Sequence, residues 1–290
     1  MRTIAIQTML ILVITFSCDF SRSVKKDFQS GLLTTGNGLS CEEVYLAVRD
    51  EPIQMNTFTY GEVLQVWFDD IEGFNQENGR AYPGMKILVI NDLGDTVLRN
   101  DDLYAGITEG VDLSPLRLEG EVTLAQPIHS GHSHTLRIHI WDKKGEGTFN
   151  AKLEFDVVPD ETIVIESHLV TCSEVYLYSR ERGKPITNNR AFLNENIHLV
   201  FEGLEGFAIE EGNVLIGLGM RVTDASGQVL LDEEDLIGER AMDRDEVHGH
   251  LSPNFTLAGA ELQNPVTVDI NIWDKRGDGY ISAFTQLEME

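Results

Sequence analysis

The chain repeats itself. Ile138 to Gly147 reads IHIWDKKGEG and Ile270 to Gly279 reads INIWDKRGDG, with seven of ten positions identical at an offset of 132 residues. Cys41 to Leu46 (CEEVYL) matches Cys172 to Leu177 (CSEVYL) at an offset of 131, and Ile71 to Phe74 (IEGF) matches Leu204 to Phe207 (LEGF) at 133. Three matches in one order and at nearly one spacing mean a single module written twice, since a repeated fold must bury the same faces at the same period. The expected domains are 32–158 and 162–290, joined by Pro159-Asp160-Glu161. The length of 290 residues fits two domains at roughly 150 residues each.

Within each copy the hydrophobic pattern has period two. Leu136, Ile138 and Ile140 alternate with Arg137, His139 and Trp141, and Val266, Val268, Ile270 and Ile272 alternate with Thr267, Asp269, Asn271 and Trp273. Such alternation marks a strand with one buried face. Leu64, Val66 and Phe68 repeat as Ile197, Leu199 and Phe201; Val44, Leu46 and Val48 repeat as Val175, Leu177 and Ser179. Phe149 to Val157 and Ile281 to Met289 alternate again, so the Asp-Lys-x-Gly-x-Gly segments at Asp142 and Asp274 read as hairpin turns. The pattern predicts an all-β chain of two tandem antiparallel β-sandwich domains. One short helix is expected near Asp101 to Gly106 and another near Asp232 to Glu239. In size and strand count the module resembles immunoglobulin-like and C2-like sandwiches, a likeness of architecture that implies no particular activity.

The N-terminus supplies an address. Arg2 is followed by an apolar run from Ile4 to Phe16 and then by Ser17-Cys18. A run this short cannot span about 30 Å of hydrocarbon as a helix, so residues 1–17 are expected to be an export signal. A small residue before a cysteine at the end of such a run resembles the lipobox of bacterial lipoproteins, in the relaxed form of Bacteroidota, with Thr15 and Phe16 at the two upstream places. The resemblance implies that Cys18 is acylated and tethers the mature chain to a membrane of the cell envelope, periplasmic or surface-facing. The polar stretch 18–31 is expected to be a flexible tether.

Charge excludes one class of partner. With 22 Lys plus Arg against 48 Asp plus Glu, the net charge is −26, and phosphate recognition needs the opposite balance. Nucleic acid is therefore not a partner, and an anionic membrane would attract the chain only through a lipid anchor.

Candidate sites are few. Asp142, Asp274 and Asp278 sit in turns that invite a calcium reading, but Lys144 and Arg276 occupy the third loop position and put positive charge where the metal would lie. The other reading is that Asp142 and Asp274 bind turn amides while the glycines take positive φ. His129, His132 and His134 carry metal-ligand spacing, as do His248 and His250, but the first three fall opposite Glu261, Asn264 and Val266, so a zinc or copper site would be private to one copy. Trp141 and Trp273 lie on the polar parity of their strands. They read either as platforms for a sugar or peptide or as packing against Phe74 and Phe207. Cys41 and Cys172 stand one module apart and read as unbonded buried thiols. The chain has no Gly-x-Ser-x-Gly, no His-Glu-x-x-His and no phosphate loop. The reading is a non-enzymatic, lipid-anchored binding or structural protein without a cofactor, its partner an envelope protein or glycan. A calcium- or zinc-dependent binder and an envelope hydrolase are the alternatives.

Overall fold

The computed structural model describes residues 22–112, 115–259 and 262–290; the expected export signal, residues 1–17, and Cys18 lie outside them. Each copy builds a larger and a smaller antiparallel sheet. In the first, the larger sheet runs Arg22–Lys26, Leu33–Asn37, Thr148–Val158, His132–Asp142, Pro83–Asn91, Thr96–Asn100. Its smaller sheet runs Leu118–Thr123, Val63–Glu72, Ser40–Val48, Glu51–Ile53. In the second copy the larger sheet runs Val164–His168, Tyr280–Met289, Val266–Asp274, Ile216–Thr223, Val229–Glu233. Its smaller sheet runs Lys184–Ile186, Glu174–Ser179, Asn196–Glu202, His250–Leu251. Even a minor irregularity repeats: Thr57–Thr59 joins Thr148–Val158 in parallel, and Arg190–Ala191 joins Tyr280–Met289 likewise.

The alternating residues face each other across the two sheets and form one core per copy. Leu64, Val66 and Phe68 meet Leu136, Ile138, Ile140 and Phe149 in the first; Ile197, Leu199 and Phe201 share a core with Val268, Ile270, Ile272 and Ile281 in the second. The Phe68 and Phe149 rings meet edge-on at 6.0 Å, an aromatic pair between the sheets. Among the described residues no helix is long and apolar enough to cross a membrane.

Three expectations are corrected. Part of the expected tether is folded: Arg22–Lys26 pairs antiparallel with Leu33–Asn37. The turn between them is closed by Asp27, whose carboxylate accepts from the Gln29 and Ser30 amides at 3.1 and 3.2 Å. An edge strand needs backbone partners more than an apolar face, so a polar segment can form one. The acidic runs form turns, the second after the end of strand Val229–Glu233, and not helices. Asp102 Oδ1 accepts from the Met85 and Tyr104 amides, and Asp235 Oδ1 from those of Leu218, Ile237 and Gly238. Each aspartate thus stabilises a tight turn in place of a helical turn. The one α-helix among the described residues is Arg244–Gly249, capped by Asp243. Finally, Gly145, Gly147, Gly277 and Gly279 do not take positive φ. They are glycine for space: a Cβ on Gly145 would lie 2.4 Å from Asp142 Oδ2, and one on Gly279 would lie 3.0 Å from the Val170 side chain.

Candidate functional site

The shared turn holds the fold in both copies. Asp142 ends its strand on the inward parity, 4% exposed, and Asp274 does the same at 6%. Asp142 accepts from the Asn75 amide at 2.7 Å and the Lys144 amide at 2.9 Å. Asp274 accepts from Ala208 at 2.6 Å and Arg276 at 2.8 Å. Asn75 and Ala208 immediately follow the shared Glu-Gly-Phe segments, so these bonds tie the two repeated motifs together. The cations of the turn are paired alike: Lys143 with Asp102 at 2.8 Å and Lys144 with Glu77 at 2.9 Å, answered by Lys275 with Asp235 at 2.6 Å and Arg276 with Glu210 at 2.9 Å. Asp278 is exposed. Both carboxylate oxygens of Asp142 and of Asp274 are engaged by backbone amides.

Trp141 and Trp273 cover neither Phe74 nor Phe207. Each half-buried indole lies flat on the neighbouring strand, where glycine makes room: a Cβ on Gly84 or on Gly217 would sit 2.1 Å from the ring. Trp141 also stacks with His139, centroids 5.7 Å apart and planes at 19°.

The three histidines have separate tasks. His132 is exposed and contacts Asp92 at 3.3 Å. His134 is buried, stacked on Phe155 at 5.5 Å, and burial lowers its pKa. His129 lies between the modules, its Nδ1 3.6 Å from Glu174 Oε1. Among the described residues, no group of three or more His, Cys, Asp or Glu is placed to hold a metal ion. Cys41 and Cys172 are unbonded, and burial pushes their thiols up to about 12 and about 11.

The sequence pattern missed the junction. Glu174, 3% exposed, accepts from the Ser130 amide at 2.8 Å and from Ser130 Oγ at 2.9 Å, and burial raises its pKa. Tyr60 of the first module and Tyr176 of the second both donate to Glu202, at 3.1 and 2.8 Å, with ring centroids 5.3 Å apart. Burial raises both phenols, which stay protonated donors. Above them opens a cleft of about 550 Å³ lined by residues including Gln126, His129, Cys172, Glu202, Glu205 and His248. Its carboxylates suit hydroxyl or cationic groups, and its protonated thiol is a poor nucleophile. The available sequence signal was parity: Tyr176 sits between Val175 and Leu177 on the side that a lone module would expose.

No protein-family model matches the chain, and no curated protein matches it. Among solved structures, the chain is similar to pT26-6p, at 9% identity and a TM-score of 0.27, covering 93% of this chain and 66% of that one. It is also similar to a calcium-binding mutant of Bacteroides uniformis β-glucuronidase 2, at 8% identity and 0.27, covering 86% of this chain. A putative β-galactosidase from Bacteroides fragilis, at 10% identity and 0.24, covers 77% of this chain. The chain spans 32% of the length of each glycosidase. Likenesses this slight carry no argument about activity.

Proposed function

We propose that this chain is a non-catalytic, lipid-anchored protein of the cell envelope that acts by binding an envelope protein or glycan through two β-sandwich modules coupled at a polar junction. One observation carries the reading. The chemically suggestive residues that the copies share, Asp142 and Asp274, Trp141 and Trp273, Lys143 and Lys275, hold turns and sheets identically in both. Groups private to one copy, such as His129 and His248, line the cleft between them, where recognition of a partner has room to differ. The anchor rests on Ser17-Cys18 at the end of the apolar run.

Metabolic labelling with palmitate tests the address: wild type should be labelled and sediment with membranes, and Cys18→Ala should lose both. Equal labelling of the two removes the anchor. A melt of the purified mature protein in calcium, zinc or EDTA should give one midpoint throughout, whereas a metal-dependent rise would favour a metal-assisted binder.

A further inference from the structure

The copies agree in their cores and differ on one face. In the larger sheet of the first module, strand register sets Lys26, Leu33, Lys152, Arg137, Leu88 and Arg99 in one row across six adjacent strands. The row lies on the outer face, because the alternate residues Ala151, Leu136, Ile138 and Ile87 point into the core. The adjoining row holds Thr35, Asn150, His139 and Lys86. Five cations therefore share one sheet face of a chain with a net charge of −26. Lys86 and Arg99 share Asp101 at 3.0 and 2.8 Å, and Lys152 contacts Glu154 at 2.6 Å. Arg137, exposed at the centre, forms no ion pair among the described residues. The face is concave there, a groove of about 330 Å³ lined by Leu33, Thr35, Arg137, Asn150 and Lys152 among others. One wall is fixed: His139 Nδ1 bonds Asn150 Oδ1 at 2.7 Å, and the ring stacks on Trp141.

The second module shows that the fold does not require these cations. Its equivalent row is Val164, Phe284, Asp269, Arg221 and Asp232. Phe284 stands for Lys152, Asp269 for Arg137 and Asp232 for Arg99, on the same strands in the same register. Three cations of the row are thus replaced, two by aspartate and one by phenylalanine, while Leu88 becomes Arg221; a charge pattern that changes on a repeated backbone is not one that folding demands.

We infer that the outer face of the first module's larger sheet binds an anionic polysaccharide. Arg137 and Lys152 take its carboxylate or sulfate groups, and its sugar rings lie in the groove beside His139 and Trp141. A guanidinium offers a planar fork of donors to a carboxylate or sulfate, and Thr35 and Asn150 can pair with hydroxyls. A flat bilayer would meet the rims of a groove and not its floor. The inference rests on the reading that the protein acts by binding, and it names the ligand class and the place.

The test is affinity electrophoresis of the purified mature protein in detergent against polygalacturonate, dextran sulfate, neutral dextran and phosphatidylglycerol vesicles. Retardation by polygalacturonate or dextran sulfate is expected, weakening with salt, with dextran and vesicles inert; the polymer that retards identifies the recognised group. Arg137→Glu should weaken binding about tenfold or more, since loss of a charge-assisted pair is on that scale. Asp269→Asn in the second module should leave binding unchanged. Arg137 is exposed, so the variant should melt with wild type; if it does not, Arg137→Ala with a matched melt takes its place. Equal binding by wild type and the Arg137 variant, binding to vesicles alone, or no retardation by either anionic polymer overturns the site. The lipid anchor of the broader reading fails separately, on the Cys18 labelling experiment, which leaves the polysaccharide test unaffected.

Discussion

At the residue scale the most informative atoms are the oxygens of Asp142 and Asp274. Each carboxylate is nearly dry and joins two segments almost seventy residues apart in sequence through two amide donors, 67 residues for Asn75 and 66 for Ala208. Replacing either aspartate by alanine removes the acceptor from two amides in partly buried hydrogen bonds. Asp142→Ala and Asp274→Ala should each cost about 2 kcal/mol in urea unfolding, the scale of losing hydrogen bonds to a charged acceptor at partly buried donors. Similar costs in the two modules would fit a structural duty, whereas a loss seen only with a metal present would point to a ligand role. The indoles allow a second check. Gly217→Ala places a methyl group 2.1 Å from the Trp273 ring, so the indole must leave the strand surface. A red shift in tryptophan emission with a destabilisation of about 1–3 kcal/mol is expected, and an unshifted spectrum would contradict the packing described.

At the scale of elements, the aspartate–lysine pair beside each turn locks one hairpin to the next. Burial works against the charge of Asp235, but the Lys275 ammonium and three backbone amides outweigh it and hold its pKa at about 2. Asp102, facing Lys143, is lowered in the same way. A carboxylate with a depressed native pKa stabilises the fold above its unfolded value and loses that contribution as pH falls through the native one. The second module should therefore lose stability between pH 4 and 2, and Asp235→Asn should flatten that limb while lowering the midpoint at pH 7, as read by circular dichroism melts. These elements also show what a sequence can and cannot disclose. The paired sheets were legible because burial alternates along the longest strands, Thr148–Val158 and Tyr280–Met289 among them. The turns at Asp102 and Asp235 were misread as helices, because an acidic run has the same composition whether its aspartates cap a turn or a helix. Arg22–Lys26 was misread as a tether because an edge strand on a finished sheet carries no hydrophobic alternation. Removing residues 22–26 should uncover the Leu33–Asn37 edge, lowering the melting midpoint by several degrees and promoting self-association in sedimentation; an unchanged melt would mean that the strand contributes nothing.

For the molecule as a whole, the two modules meet through polar side chains and through Tyr60, a member of the first module's core against which Tyr176 of the second packs, contacts that lie outside either module's alternating pattern. Glu174 sits there with Ser130 and His129 facing it from the first module, Glu202 and Cys172 beside it from the second, and the two tyrosines close by. Burial raises its pKa more than the Ser130 donors and His129 lower it, and the charge of Glu202 adds to the rise. The sign follows from linkage: a carboxyl whose native pKa lies above its unfolded value stabilises the native form fully below the unfolded value, and that contribution is lost as pH climbs through the native one. The junction should therefore be tightest in acid and should loosen as pH rises through the native value, above which an ionised Glu174 is held out of water. Calorimetry should show the modules unfolding together near pH 4, below the unfolded carboxyl value, and drawing apart as the pH is raised. General relief of charge repulsion in acid would mimic part of this in a chain at −26, so the decisive comparison is Glu174→Gln. The amide keeps an acceptor for the Ser130 amide and a donor for Ser130 Oγ but cannot ionise, so this variant should unfold in one step at low and raised pH alike, while Glu205→Gln at the cleft rim should behave as wild type. If Glu174→Gln separates with pH as wild type does, the pH dependence belongs to the surface charge and not to the junction.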